Sequence, residues 1–175
     1  VEARQILLRE VLTHKPDYTP GTKFQYSNFG YSILGALLEK ALNEPYELIL
    51  TKRLWAPLGM TGTCGFGAPG YAKSESPDQP WGHGAGLLWG VNSVAPGPRG
   101  DNPPFMTPAG RMHCSMTDWA KFLRFTLDGA MQRSNKILSN GTFAKMFTVA
   151  PGGFYTYGAW AKRNPIGCAR GPYFT

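Results

Sequence analysis

Between residues 31 and 42 the apolar side chains Tyr31, Leu34, Leu37, Leu38 and Leu42 recur three and four positions apart. A repeat of 3.6 residues stacks such positions on one face, so this stretch is an amphipathic helix that needs an apolar cover. Its limits are written beside it. Pro20-Gly21 makes a turn, residues 23–28 form a short connection, and Asn43 is a C-terminal stop. Pro45 then fits the first turn of a further helix, with Leu48, Ile49, Leu54 and Trp55 as its buried side and Pro57 and Gly59 closing it. Upstream, Ile6, Leu7, Val11 and Leu12 place an apolar face on a helix over 4–13, which Pro16 ends.

From 62 to 110 the helical period disappears and Gly and Pro recur, with Trp81 and Trp89 among them. So long a stretch without elements is uncommon in a compact domain, and its aromatics favour an ordered loop region over a linker. Leu87-Leu88-Trp89 is a candidate short strand within it. Helices return at Ser115-Met116-Thr117-Asp118, a hydroxyl followed three residues later by an acid, the pattern of a capping box. Trp119, Phe122, Leu123 and Leu127 form the expected buried stripe of that helix, and Gly129 its end. Ser139 or Asn140 caps another helix through Phe143, Met146 and Phe147, broken by Pro151-Gly152-Gly153. Tyr155–Ala161 reads as a strand, Asn164-Pro165-Ile166-Gly167 as a turn, and the last residues as the approach to a second strand. The order is helices over 1–61, a Gly/Pro-rich loop region over 62–110, helices over 111–150, and strand and turn over 151–175. It suits a mostly helical lobe whose chain is returning to a sheet, within one partial domain over 1–175.

The 175 residues suffice for one domain with a core, and 42% hydrophobic against 17% charged residues is globular composition. A formal charge of +7 invites a nucleic-acid partner. However, Arg4, Arg9, Lys15, Lys23, Lys40, Lys52 and Arg53 are dispersed and form no run or recognised module. A basic nucleic-acid-binding domain is therefore the remote alternative. Cys64, Cys114 and Cys168 stand far apart with no CxxC pair, so a zinc site is not expected. They are expected to be small buried hydrophobes, with at least one free thiol. No apolar run reaches the roughly 20 residues that a membrane-spanning helix needs.

Three blocks, in order, carry a specific resemblance. Pro20-Gly21-Thr22-Lys23-Phe24-Gln25-Tyr26-Ser27-Asn28-Phe29-Gly30-Tyr31 resembles the "PG..F.YSN.GY" passage of the penicillin-recognising serine hydrolases, the serine β-lactamase and DD-peptidase family. Arg53-Leu54-Trp55-Ala56-Pro57-Leu58-Gly59-Met60 is similar to the "R.F.PLGM" that follows there. The passage Pro108–Phe122 resembles "PAG...S..D.A.F". The resemblance implies a partial β-lactamase/transpeptidase-like α/β (α+β) fold. This piece would hold mostly the helical lobe and the start of the return to the antiparallel sheet.

The chemistry so implied is hydrolysis of an amide or ester through a serine acyl-enzyme, on a β-lactam, a D-alanyl peptide or a small ester. In this family a Lys one helical turn after the Ser helps to take its proton. By resemblance, Tyr26 is the second proton-handling group. A phenol with a pKa near 10 is a poor base at neutral pH, but a nearby ammonium favours its phenolate or a shared proton. Tyr26 would then relay the proton to the leaving group. If the backbone from Tyr26 to Asn28 is extended, both side chains face one side and Ser27 the other, which sets the Asn28 amide to bind the substrate carbonyl. Each has an ordinary alternative: Tyr26 as a ring packed ahead of a helix, Asn28 as the N-cap of a helix starting at Phe29.

The sequence contains no S-x-x-K, K-[ST]-G or H-x-G; Lys73-Ser74-Glu75 fails at its third place. The family places these motifs on either side of such a segment. The chain is thus expected to be an internal fragment, inactive alone, with apolar surface exposed where it is cut. A non-catalytic binding or sensing member of the same fold is the alternative. No metal or organic cofactor is implied, because His14, His83 and His113 lack metal-ligand spacing. His83, in Trp81-Gly82-His83-Gly84, is a candidate lining residue of a substrate mouth, though a structural or surface role is the ordinary expectation; Ser115 near His113 and Cys114 is better explained as a cap than as a nucleophile. The implied partner is a small-molecule or peptide substrate. The resemblance implies a periplasmic or secreted parent; oligomeric state is not legible.

Overall fold

The computed structural model describes residues 2–60, 62–69, 79–86, 90–97, 100–133, 137–149, 155–157, 161–162 and 173–174. Its contacts divide the chain into two units, one of residues 1–14 with 27–122 and one of residues 15–26 with 123–175. The larger unit begins with α1 (Glu2–Val11), α2 (Asn28–Leu42) and α3 (Tyr46–Leu50), the last continuing as a π-helical turn over Thr51–Trp55. Asn43 ends α2 in the left-handed conformation, φ 51°. Pro45 stands at the N-cap of α3, where a missing N–H costs nothing. The wide turn shows in Ala56 N donating to Thr51 O at 2.9 Å and Met60 N to Trp55 O at 2.8 Å. It buries Trp55 and Met60, and Trp55 stacks on Phe66 with ring centroids 4.8 Å apart.

The helices form where the periodicity places them, but α2 packs through its other face. Ser32, Gly35, Ala36 and Glu39 are buried, whereas Leu34, Leu37 and Leu38 are exposed. Small residues allow close approach: a Cβ on Gly35 would collide with the Pro108 ring of α4 (Thr107–Gly110). The expected buried stripe of α1 is likewise outward at Ile6 and Leu12, and that of α3 at Leu48; Ile49 and Trp55 are buried as expected. An apolar stripe states which face can be covered; the packing partner decides which face is.

What α1 buries is Arg4, 2% exposed. Its Nε and Nη2 donate to Glu39 Oε1 at 3.1 and 2.5 Å, Nη2 also to Glu47 Oε2 at 2.8 Å, and Nη1 to Pro104 O at 3.1 Å. One guanidinium thus ties α1 to α2, to α3 and to the 3₁₀ turn Pro104–Met106. Glu39 Oε1 also accepts from Tyr46 N, while Glu39 Oε2 is buried with no hydrogen-bond partner among the described residues.

The region 62–110 is less featureless than its composition suggests. It holds β1 (Gly65–Phe66), β2 (Gly82–Ala85), β3 (Val91–Val94), the 3₁₀ turn and α4. Strands β2 and β3 form an antiparallel hairpin, and β1 pairs with β4 (Met112–His113) in the register Gly65↔His113 and Phe66↔Met112. The candidate strand 87–89 lies outside the described residues. Beside the β1–β4 ladder, Cys64 and Cys114 form a disulfide across a separation of 50 residues. The expectation of isolated thiols is therefore wrong for these two. Pairing of distant residues is set by the fold, which brings their Cα atoms to 4.1 Å. Cys168 lies outside the described residues.

Helix α5 (Met116–Ala130) starts where Ser115 predicts: Ser115 Oγ accepts from Asp118 N at 3.3 Å. Its stripe is another reversal. Trp119, Leu123 and Leu127 are exposed; Asp118 and Phe125 are buried. Gly129 does not end the helix but lies inside it, where any Cβ would strike the Phe143 ring of α6 (Asn140–Met146). Phe125 meets Phe143 edge-on at 5.2 Å, and Phe143 stacks on Phe147 at 6.0 Å, forming the core of the smaller unit. Ser139, not Asn140, caps α6, accepting from Thr142 N at 3.2 Å. Of the strand expected over 155–161, Tyr155 makes a single bridge and the short β5 (Ala161–Lys162) pairs antiparallel with β6 (Tyr173–Phe174). The turn expected at 164–167 and the break at 151–153 lie outside the described residues.

Candidate active site

The loop before α2 delivers Tyr26. Phe24 and Tyr26 both contact the ring of Tyr155, at centroid distances of 6.0 and 5.8 Å. Alternate residues meeting one partner is the habit of extended backbone. Tyr26 is 54% exposed, and its ring stands edge-on to Tyr155 with an interplanar angle of 89°. It is not part of a packed core. Ser27 follows with φ −152° and ψ 115° and takes the N-cap of α2, its Oγ accepting from Gly30 N at 3.0 Å. The capping role that Asn28 might have filled is thus held by Ser27, because the helix starts one residue earlier than Phe29. Asn28 is the first residue of α2. Its carbonyl accepts from Ser32 Oγ at 3.2 Å, and Phe29 stacks on Phe105 at 6.3 Å, which holds the start of α2 against the 3₁₀ turn.

Burial raises the pKa of the Tyr155 phenol, and the neighbouring Tyr26 raises it further because two phenolates repel. Lys23 Nζ lies over the Tyr18 ring, 4.3 Å from its centroid, a cation–π contact in the same loop.

The remaining candidates resolve into structural roles or stay open. The Nδ1 of His113 lies 2.7 Å from Gly67 O, a tie that locks β4 to the residue after β1. Ser115 sits in a network that sequence reading missed. Thr63 Oγ1 lies 2.8 Å from Asp118 Oδ2 and 2.7 Å from Ser115 Oγ, and accepts from Ser115 N at 3.1 Å. The reciprocal bond of a capping box is thereby replaced by a threonine 52 residues away. Lys121 Nζ donates to Asp118 Oδ1 at 2.7 Å. The Lys121 and Thr63 hydrogen bonds hold the Asp118 carboxyl below its ordinary range. His83 is exposed on β2, and His14 Nδ1 lies 3.0 Å from Glu10 O. Among the described residues no group of three or more His, Cys, Asp or Glu side chains gathers as a metal site. In the larger unit the 62–110 region encloses a cleft of about 260 Å³, lined by Trp81, Val94, Asp101, Arg111, Met112 and His113 among others. The Arg111 Nε–Asp101 Oδ2 ion pair, 3.2 Å, spans part of its wall.

Residues 2–171 match the family model described as Beta-lactamase. The chain belongs to the beta-lactamase family. Solved structures agree on the fold. The octameric penicillin-binding protein homologue from Pyrococcus abyssi matches 89% of the chain with a TM-score of 0.65 at 26% identity. The D-stereospecific amidohydrolase from a Streptomyces species matches 87% with a TM-score of 0.65 at 24% identity, and the penicillin binding protein from Bacillus halodurans 90% with 0.65 at 18%. Among curated proteins, an N-acetylmuramyl-L-alanine amidase of Bacillus subtilis (strain 168) is 40% identical over 55 residues, 31% of this chain and 12% of that protein. The chain spans 35%, 43% and 47% of those three solved chains, in the order given. The fold is accordingly the partial β-lactamase/transpeptidase-like one expected from the three sequence blocks, helix-rich with short antiparallel pairs. No described helix is long and apolar enough to cross a membrane.

Proposed function

We propose that this chain supplies the Tyr-x-Asn element of a serine hydrolase that cleaves amides through an acyl-enzyme. Tyr26 is the proton-handling residue and Asn28 the group that binds the substrate's amide carbonyl. The observation that carries this reading is the exposed Tyr26 ring, braced on one side by Tyr155 and followed by an extended Ser27. A packing role for Tyr26 would bury it; a capping role for Asn28 is already taken. Amide substrates are favoured because the named relatives include an N-acetylmuramyl-L-alanine amidase and a D-stereospecific amidohydrolase. A β-lactam or a D-alanyl peptide belongs to the same class of reactive carbonyl. The nucleophilic Ser and its Lys are not in this sequence, and the reading assigns them to the remainder of the fold.

The chemistry follows from the side chains. An activated Ser attacks the carbonyl, and the amide nitrogen leaves only once it gains a proton. A phenol near an ammonium exchanges protons at neutral pH, so Tyr26 carries the proton from the Ser–Lys pair to that nitrogen. The Asn28 amide N–H donates to the substrate carbonyl and fixes which nitrogen faces Tyr26. The test is Tyr26→Phe in the full-length protein. Its kcat is expected to fall about 10²–10⁴-fold, the usual worth of general acid–base catalysis, with an unchanged unfolding midpoint. A kcat within threefold of the parent refutes the relay.

A further inference from the structure

We propose that Tyr155 is the positioning residue for Tyr26, an aromatic wall that fixes the phenol in its working rotamer. The inference rests on the assignment of Tyr26 above. Proton transfer demands heavy-atom distances of about 2.6–3.2 Å, and Tyr26 stands on a loop with its side chain 54% exposed. Such a side chain samples several χ1 wells unless a neighbour restricts it. Tyr155 supplies that restriction.

Its ring meets Tyr26 at 5.8 Å and 89°, the edge-to-face arrangement that aromatic quadrupoles favour. Phe24 contacts the same Tyr155 ring at 6.0 Å and 30°. Tyr155 thus binds both alternate residues of the loop and orients the backbone between them. Tyr155 is itself anchored. The adjacent Thr156 is buried, and Tyr157 N donates to Met146 O at 3.4 Å, tying residues 155–157 to the end of α6. Helix α6 is in turn set by the Ser139 cap and by Phe143 in the core. Residues tied to α6 therefore reach the exposed Tyr26 phenol through one ring. Tyr155 is a poor candidate for the proton carrier itself: burial, and then the nearby Tyr26, push its phenol above the ordinary tyrosine value.

The ring, not the hydroxyl, does the positioning, and that separates it from an ordinary polar contact. The experiment compares Tyr155→Phe, Tyr155→Leu and Tyr26→Phe in the full-length protein, with D-phenylalanine p-nitroanilide and p-nitrophenyl acetate as probes. Misplacement by about 1 Å costs on the order of 10²-fold in rate. Tyr155→Leu is expected to lose about 10–10²-fold in kcat with KM within threefold, while Tyr155→Phe stays within threefold of the parent in both. A Tyr155→Leu kcat equal to the parent's, or a defect confined to KM, overturns the proposal. So does a Tyr155→Phe defect as large as that of Tyr155→Leu. A Tyr26→Phe variant as active as the parent refutes instead the assignment on which the proposal rests. Selectively labelled tyrosine gives a readout independent of turnover. Ring-proton cross-relaxation between Tyr26 and Tyr155 is expected in the parent, and its absence overturns the proposal.

Discussion

Reducing the Cys64–Cys114 bond separates what the covalent link contributes from what its surroundings contribute. In the native chain both ends of the link are held by other means. The β1–β4 ladder pairs Gly65 with His113, Gly67 N donates to Arg111 O at 2.7 Å, and Thr63 bonds Ser115 and Asp118. Reduction should therefore leave the native structure in place and act on the unfolded chain. Opening a loop of 50 residues returns entropy worth about 4 kcal/mol at 25 °C in the chain-entropy description. Against a total stability of about 5–15 kcal/mol this is a large fraction. For a chain of this size each kcal/mol moves Tm by about 2–4 °C, so reduced protein should melt roughly 8–16 °C lower. Thermal unfolding followed by circular dichroism with and without reductant measures the shift. Thiol titration in denaturant checks its origin: Cys168 alone should react before reduction and all 3 cysteines after it. A Tm difference below 2 °C, or 3 reactive thiols in unreduced protein, would refute the reasoning.

Arg4→Leu leaves Glu39, 4% exposed, as an uncompensated buried carboxylate and should cost about 3–5 kcal/mol by urea unfolding. Adding Glu39→Leu should recover much of that loss; no recovery would show that the pair is not the cause. Below pH 3.8, the ordinary value for Asp118, stability should fall. The Asp118 carboxyl is held lower than that in the folded state by the Lys121 and Thr63 hydrogen bonds, so its contribution is complete above pH 3.8 and lost as pH drops through the folded value. Glu39 and Glu47 behave alike: burial alone would raise them, but the Arg4 hydrogen bonds outweigh it and hold both below 4.5. Urea midpoints from pH 6 to pH 2 should thus decline for the parent and decline less for Asp118→Asn; parallel curves would contradict the Asp118 contribution.

What the sequence made legible was local. The helix around Leu34–Leu42, its stop at Asn43, and the caps at Ser115 and Ser139 depend on residues within a turn or two of each other, and each stands in the structure as read. Apart from the β2–β3 hairpin and the run of α5 past Gly129, what was missed joins distant positions: Cys64 with Cys114, Thr63 with Asp118, Arg4 with Glu39 and Glu47, Phe24 and Tyr26 with Tyr155. No periodicity encodes such pairs, and a serine-plus-acid pattern cannot reveal that a threonine from another element will enter the cap. The reversed helix faces have the same origin. Periodicity located the leucines of α2 correctly, but Gly35 admits Pro108 on the opposite side, and that contact decides burial. The same rule governs the candidate site. A Tyr-Ser-Asn tripeptide is weak evidence for catalysis by composition alone. Ser27, its middle residue, caps α2, and the roles proposed above fall to its neighbours Tyr26 and Asn28. That division of labour needs a helix starting at Asn28, which is where α2 begins under its Ser27 cap.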